Sequence, residues 1–322
     1  MCMTMRSVTR RWALRLCCAV AIALEGGLLA AAPPTSQVWL ISTRSAPLFC
    51  HDGADLAAFG FWRQAPDGQW AAADAQAFLA ADGPAIPTLI HIHGNRADSC
   101  DAVNEGVGFY RLVQGLAPDR PLRFVIWSWP ADRISGGVRQ DVQVKACRSD
   151  GQSCHLAHLL NRMDRTVPVC MVGYSFGARI ITGALHMLAG GDVAGQVLPD
   201  RSGSPRPAPL RAVLVAAAED YDWLLPARAH GLALGQLDRA LVTVNGNDPV
   251  LKRYPMMYSL GGPQALGYAG PACPSWLGQD QHKLELLNVT CSVGNSHSWD
   301  GYVASPYLLG RLAWYAFLEP SP

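Results

Sequence analysis

The run Val167-Pro-Val-Cys-Met-Val-Gly-Tyr-Ser-Phe-Gly-Ala-Arg-Ile-Ile-Thr-Gly-Ala-Leu-His-Met-Leu188 decides how this chain is read. It begins as a short apolar, β-branched segment, Val167 to Val172, which reads as a buried strand. Gly173-Tyr174-Ser175-Phe176-Gly177 breaks the segment, and a long pattern of good helix formers follows. Gly-x-Ser-x-Gly acquires meaning in this strand–turn–helix setting, where a sharp turn exposes the serine hydroxyl. So tight a turn leaves almost no space for the side chains around the serine, hence Gly173 and Gly177. The helix N-terminus beneath Ser175 and the free N–H of Phe176 favour negative charge on an oxygen held there. Outside that setting the same five residues would read as a glycine-rich turn.

The chain has 322 residues, half of them hydrophobic and 16% charged, enough for one large core in one α/β domain. A formal charge of +1 gives no electrostatic case for nucleic acid or an anionic membrane surface. Met1 to Arg15 is basic, Leu16 to Leu24 apolar, and Leu28 to Ala32 ends in small residues before Pro33-Pro34, the layout of a secretory signal peptide. Residues 1–32 are therefore expected to be a leader and 33–322 the folded domain, in a secreted or periplasmic protein. Glu25-Gly26-Gly27 interrupts the apolar run and disfavours a membrane span, although an uncleaved anchor is the alternative reading. Without the leader's four arginines and one glutamate, 22 basic and 24 acidic residues remain. Of the ten cysteines, seven lie beyond the leader. Cys170, inside the strand before Ser175, reads as a buried thiol, and the other six suit an oxidising compartment. No zinc-type spacing and no phosphate-binding glycine loop is present, so neither metal nor cofactor is expected.

Taken in order, strands are expected at 37–43, 60–63 (an edge), 85–93, 122–128, 167–172, 212–217, 240–244 and 286–291. Helices are expected in the alanine-rich stretch after residue 63, at 102–115, around 156–163, after Ser175 and at 306–318. Residues 190–209 read as a surface loop and 249–283 as a long Gly/Pro/aromatic segment. Apolar strands alternating with helical segments imply a mostly parallel sheet with helices on both faces.

A serine hydroxyl needs a base, and the base needs an orienting group. Asp248 follows one strand directly and His297 lies in the loop after the last. The order Ser175, Asp248, His297 is the one expected on such a sheet. With His93-Gly94-Asn95 after the third strand, these residues resemble the α/β-hydrolase family, over nearly all of the chain beyond the leader. The resemblance implies the α/β-hydrolase fold, with Ser175 as nucleophile, His297 as general base and acid, Asp248 as orienting carboxylate, and an oxyanion hole from the N–H groups of Phe176 and Asn95. It implies acyl transfer to water through an acyl-enzyme but no particular substrate; the reading adopted is a serine hydrolase acting on a small-molecule ester, thioester or amide. A lipase, an acyltransferase or an inactive binding protein on the same fold are the alternatives. Gly-Asn-Arg stands where some lipase-like members carry a glycine run.

Each assignment has a plainer competitor. Asn-Gly-Asn-Asp248-Pro also reads as a turn with a helix cap, leaving Asp220 and Asp222 as rival acids. His91 and His93 are expected to pack or hydrogen-bond beneath the oxyanion loop, and Arg96 to pair with Asp98 or reach an anionic substrate. Tyr174, Tyr221, Trp223, Tyr254, Met257 and Tyr258 are expected to wall the substrate site, because a loop as long as 249–283 tends to be functional. For the six cysteines, Cys147–Cys154 is the firmest pairing, closing a short polar loop. Cys50–Cys100 and Cys273–Cys291 complete the scheme.

Overall fold

A computed structural model describes residues 35–50, 56–81, 86–199, 204–258 and 261–318. The expected leader, 1–32, lies outside them. The strands are β1 (Gln37–Ser42), β2 (Gly60–Gln64), β3 (Trp70–Ala73), β4 (Thr88–Ile92), β5 (Arg123–Ser128), β6 (Val169–Tyr174), β7 (Asp192–Val193), β8 (Gln196–Val197), β9 (Leu210–Val215), β10 (Arg239–Val244) and β11 (Leu284–Asn288). The helices are α1 (Ala75–Ala80), α2 (Ser99–Leu116), α3 (Val138–Arg162), α4 (Phe176–Leu188), α5 (Leu266–Ala269), α6 (Thr290–Val293), α7 (Trp299–Val303) and α8 (Pro306–Ala316).

Nine strands form one sheet in the order β11-β10-β9-β6-β4-β5-β1-β2-β3, and β7 and β8 form a separate hairpin. Only β2 against β1 and β3 against β2 run antiparallel within the large sheet; the other neighbours are parallel. Every residue of β4, β5, β6 and β9 is buried, which requires cover on both faces of the sheet. That cover comes from α2 packed with α8, and from α3 packed with α4. This is the α/β-hydrolase-type architecture expected from the sequence. β5 is added on one side of β4 and β6 on the other, so the chain changes direction there. The crevice at the carboxyl ends of β4 and β6 is where such sheets bind ligands.

The turn after β6 needs both of its glycines. A Cβ on Gly173 would lie 2.5 Å from the Gly177 carbonyl, and one on Gly177 would lie 2.1 Å from the Ile92 carbonyl oxygen. Gly177→Ala is expected to drive α4 off β4 and cost about 3 kcal/mol, at the upper end for an inserted methyl. Gly108 is exposed within α2, a Cβ there would meet no atom within 4 Å, and it should respond with the opposite sign. Gly108→Ala is expected to add up to about 1 kcal/mol through helix propensity. Urea midpoints of the two variants check both, and equal shifts would contradict the steric account.

Several expectations are corrected. Residues 138–162 are one 25-residue helix, not a connection that becomes helical only near Leu156. The stretch after β2 splits into β3 and α1. The final strand ends at Asn288, and Cys291 sits in α6. The disulfide joins Cys50 to Cys154, while Cys100, Cys147, Cys273 and Cys291 are free and exposed. Cys147 and Cys154 lie seven residues apart on the same helix, about 10 Å along its axis, beyond the reach of a bridge. Cys170 is a buried free thiol, and burial pushes its pKa up to about 12.

Candidate active site

Ser175 caps α4 with φ 55° and ψ −115°, a left-handed conformation that costs a non-glycine residue about 1–3 kcal/mol. β9 holds it there. The Ser175 N–H donates to the Val215 carbonyl at 2.9 Å, and its own carbonyl accepts from Ala178 at 3.1 Å and Ala218 at 3.2 Å. Phe176 supplies a first-turn amide, which has no acceptor within its helix.

The other two residues come from the far half of the sheet. Asp248 lies just past β10, wholly buried, and His297 lies between α6 and α7. His297 Nδ1 is 2.7 Å from Asp248 Oδ2, and its Nε2 is 3.3 Å from Ser175 Oγ. An ionised carboxylate only accepts, so Nδ1 carries the ring proton and Nε2 turns its lone pair toward the serine. Asp248 receives four donors: His297 and the Tyr302 hydroxyl (2.8 Å) on Oδ2, and the amides of Val250 and Leu251 (2.9 Å each) on Oδ1. Burial alone would raise this carboxyl's pKa. The hydrogen bonds and the charge of the imidazole outweigh it and hold the group below its ordinary value. The rival acids are engaged elsewhere. Asp220 accepts from Tyr254 (2.7 Å) and Tyr258 (2.5 Å), and Asp222 lies 3.4 Å from Arg228.

The loop after β4 is braced from beneath. Trp129 donates its amide to His93 Nε2 at 3.2 Å, so Nδ1 carries the proton and donates to the Gly94 carbonyl at 2.8 Å. Burial lowers the pKa of His93 to about 4, which keeps this ring neutral. His91 sits 2.9 Å from Glu105 and packs against Phe109 and Trp299. Asn95 caps the turn by accepting from the Arg96 amide at 2.8 Å. The expected Arg96–Asp98 pair is not formed. Arg96 Nε donates to Asp141 at 2.9 Å, while Asp98 caps α2 in a reciprocal capping box with Asp101. Burial opposes the charge of Asp141, yet Lys145 and Arg96 hold its pKa down to about 2.

The expected wall residues fall into separate places. Tyr174 is buried behind His297, donating its hydroxyl to the His297 carbonyl with the two rings 5.4 Å apart. Tyr254 and Tyr258 converge on Asp220, near Arg179. Met257 is half-buried and its carbonyl accepts from Gln143 at 3.0 Å. The Tyr221 backbone pairs with Gln264 and Ala272, tying the 220s to the 260s. Trp223 carries the Arg179 guanidinium 4.5 Å above its ring and lines a cleft of about 680 Å³ with Asp150, His186 and His230. Tyr302, which completes the Asp248 carboxylate, escaped the sequence reading because nothing in its helix marks it.

No protein-family model matches this chain, and no curated protein does. Among solved structures, the catalytic core of an acetyl xylan esterase from Trichoderma reesei superposes with a TM-score of 0.36 at 14% identity, over 73% of this chain and 97% of that one. TT1662 from Thermus thermophilus superposes with a TM-score of 0.36 at 13% identity, over 80% of this chain and 95% of that one. Likenesses this distant carry neither substrate nor mechanism across.

Proposed function

We propose that the chain is an exported serine hydrolase, cleaving an ester, thioester or amide through an acyl-enzyme on Ser175. The hydrogen-bonded chain from Ser175 through His297 to Asp248 carries this reading. Nε2 takes the hydroxyl proton as Oγ attacks the carbonyl carbon, and Asp248 stabilises the imidazolium that forms. The oxyanion is received by the Phe176 amide at the start of α4, with Asn95 as the second donor. Nε2 then gives the proton to the leaving group. In the second half the same ring activates water, and the acid product leaves. A mature domain of residues 33–322 and export belong to the same proposal, supported by the leader-like N-terminus and by the Cys50–Cys154 disulfide. No helix among the described residues is long and apolar enough to cross a membrane.

The test is labelling of the purified protein with a fluorophosphonate, followed by hydrolysis of p-nitrophenyl esters of graded chain length. One label per chain on Ser175, with turnover of at least the acetyl ester, is expected. A folded protein that neither labels nor turns over any ester would leave a binding protein on a hydrolase scaffold as the better reading.

A further inference from the structure

The disulfide is flanked by more ligand chemistry than a bridge needs. Cys154 and His158 stand one turn apart on α3, and Cys50 reaches them from the segment after β1. One donor atom each from Cys50, Cys154 and His158 lies within 4.8 Å of the others. His155 stands beside this set and touches it through Cys50: its Nδ1 is 3.4 Å from Cys50 Sγ and its Nε2 is 2.8 Å from the Pro47 carbonyl, so it becomes a fourth ligand by moving toward the other two. A carbonyl only accepts, so Nε2 carries the ring proton and Nδ1 points a bare lone pair at the sulfur. A disulfide sulfur has no hydrogen to give. His155, only 2% exposed, therefore aims a buried acceptor at an atom that cannot donate.

We propose that Cys50, Cys154, His155 and His158 form a Cys2His2 zinc site that becomes available when the bridge is reduced. In a tetrahedral zinc site with Zn–S near 2.3 Å and Zn–N near 2.0 Å, neighbouring sulfur and nitrogen ligands lie about 3.6 Å apart. His155 Nδ1 and Cys50 Sγ already stand 3.4 Å apart. His155 also has the carbonyl partner on its outer nitrogen that orients metal-bound histidines. The frame does not depend on the bridge. The 44–50 segment passes so close to α3 that a Cβ on Gly151 would lie 1.8 Å from the Leu48 carbonyl oxygen. Gln196 accepts from the Cys50 amide at 3.0 Å, and Phe59 packs edge-on to His155 at 5.3 Å. On reduction the two sulfurs need only part to about 3.8 Å to become ligands. With a phosphine as reductant, water's oxygen leaves in the phosphine oxide and its two protons go to the sulfurs. Zinc binding then releases both protons.

The experiment uses the full chain with Cys100, Cys147, Cys273 and Cys291 changed to serine, so that exposed thiols do not chelate. The phosphine-reduced protein is titrated anaerobically with Zn2+ against a chromophoric chelator, and in parallel with Co2+. One equivalent of metal, tetrahedral Co2+ ligand-field bands and thiolate-to-Co2+ charge transfer are expected. Cys154→Ser and His158→Ala should each weaken binding at least about a hundredfold, and His155→Ala about ten- to a hundredfold. The oxidised protein should not compete with the chelator. Octahedral Co2+ spectra, or reduced protein binding no better than Cys154→Ser, would overturn the proposal. Should the reduced chain lose its circular dichroism, zinc must restore it and raise Tm; failure to do so overturns the proposal equally.

Discussion

Ser175→Ala and His297→Ala are each expected to lower kcat on any ester the protein turns over by about 10⁴-fold or more, without unfolding it. Nucleophile and base act as one unit, so either loss removes nearly the whole contribution, and the double variant should be hardly worse than either single one. The fold should tolerate both changes. Among the described residues Ser175 Oγ is bonded only to His297, at 3.3 Å, and the main-chain bonds that fix its backbone survive in alanine. His297 is anchored by its carbonyl, which accepts from Tyr174 whatever the side chain. Loss of circular dichroism in Ser175→Ala would contradict this placement of the serine. Full activity in Ser175→Ala would end the serine-hydrolase reading. The fluorophosphonate separates these outcomes, because His297→Ala keeps the hydroxyl but loses its base and should label far more slowly.

The parts of the fold that are legible in sequence are those where burial is written as an apolar run. β4, β5, β6, β9 and β10 are such runs, and each lies within a few residues of where the sequence places a strand. The failure at α3 has a physical cause. Its buried face carries Asp141, Lys145, Ser149, Gln152 and Ser153, so hydrophobic periodicity vanishes over three turns. Several of these side chains are satisfied from elsewhere in the chain: Thr43 donates to Gln152 at 2.6 Å, Trp127 donates to it at 3.2 Å, and Arg96 donates to Asp141 at 2.9 Å, where Lys145 one turn along the helix also donates at 2.9 Å. A polar face buried against polar partners looks like a loop in sequence. The cysteine pairing fails with it, because a short loop between Cys147 and Cys154 is the reason for joining them. β3 is lost because Ala71, Ala72 and Ala73 give no strand signal. In the candidate site, the serine and its turn are sterically dictated and so are legible, whereas Tyr302 joins Asp248 only through tertiary packing.

Asp248→Asn is expected to lower kcat by about 10⁴-fold, for a reason that can be followed atom by atom. The carboxylate accepts on both oxygens, from His297 and Tyr302 on one and from the Val250 and Leu251 amides on the other. An amide must present its NH2 to one of these donor pairs. The two main-chain N–H groups cannot adjust, so the NH2 turns toward His297, whose Nδ1 must then accept. The ring proton moves to Nε2 and faces Ser175 Oγ, where a lone pair is required. The variant therefore keeps the two main-chain contacts and loses its base. Part of the loss also falls on stability, about 1–3 kcal/mol at neutral pH, as a buried donor goes unmatched. A carboxyl held below its ordinary pKa stabilises the fold above the unfolded value and loses that contribution as pH falls through the folded one. The stability gap between wild type and Asp248→Asn should accordingly narrow in acid. Tyr302→Phe removes one donor and leaves the tautomer intact, so a loss of about tenfold or less in kcat is expected. Asp220→Asn still offers a carbonyl oxygen to Tyr254 and Tyr258 and should leave kcat within a few-fold of wild type. If Asp220→Asn instead matched His297→Ala while Asp248→Asn stayed active, the proposed acid would be wrong although the sheet and the serine turn would stand.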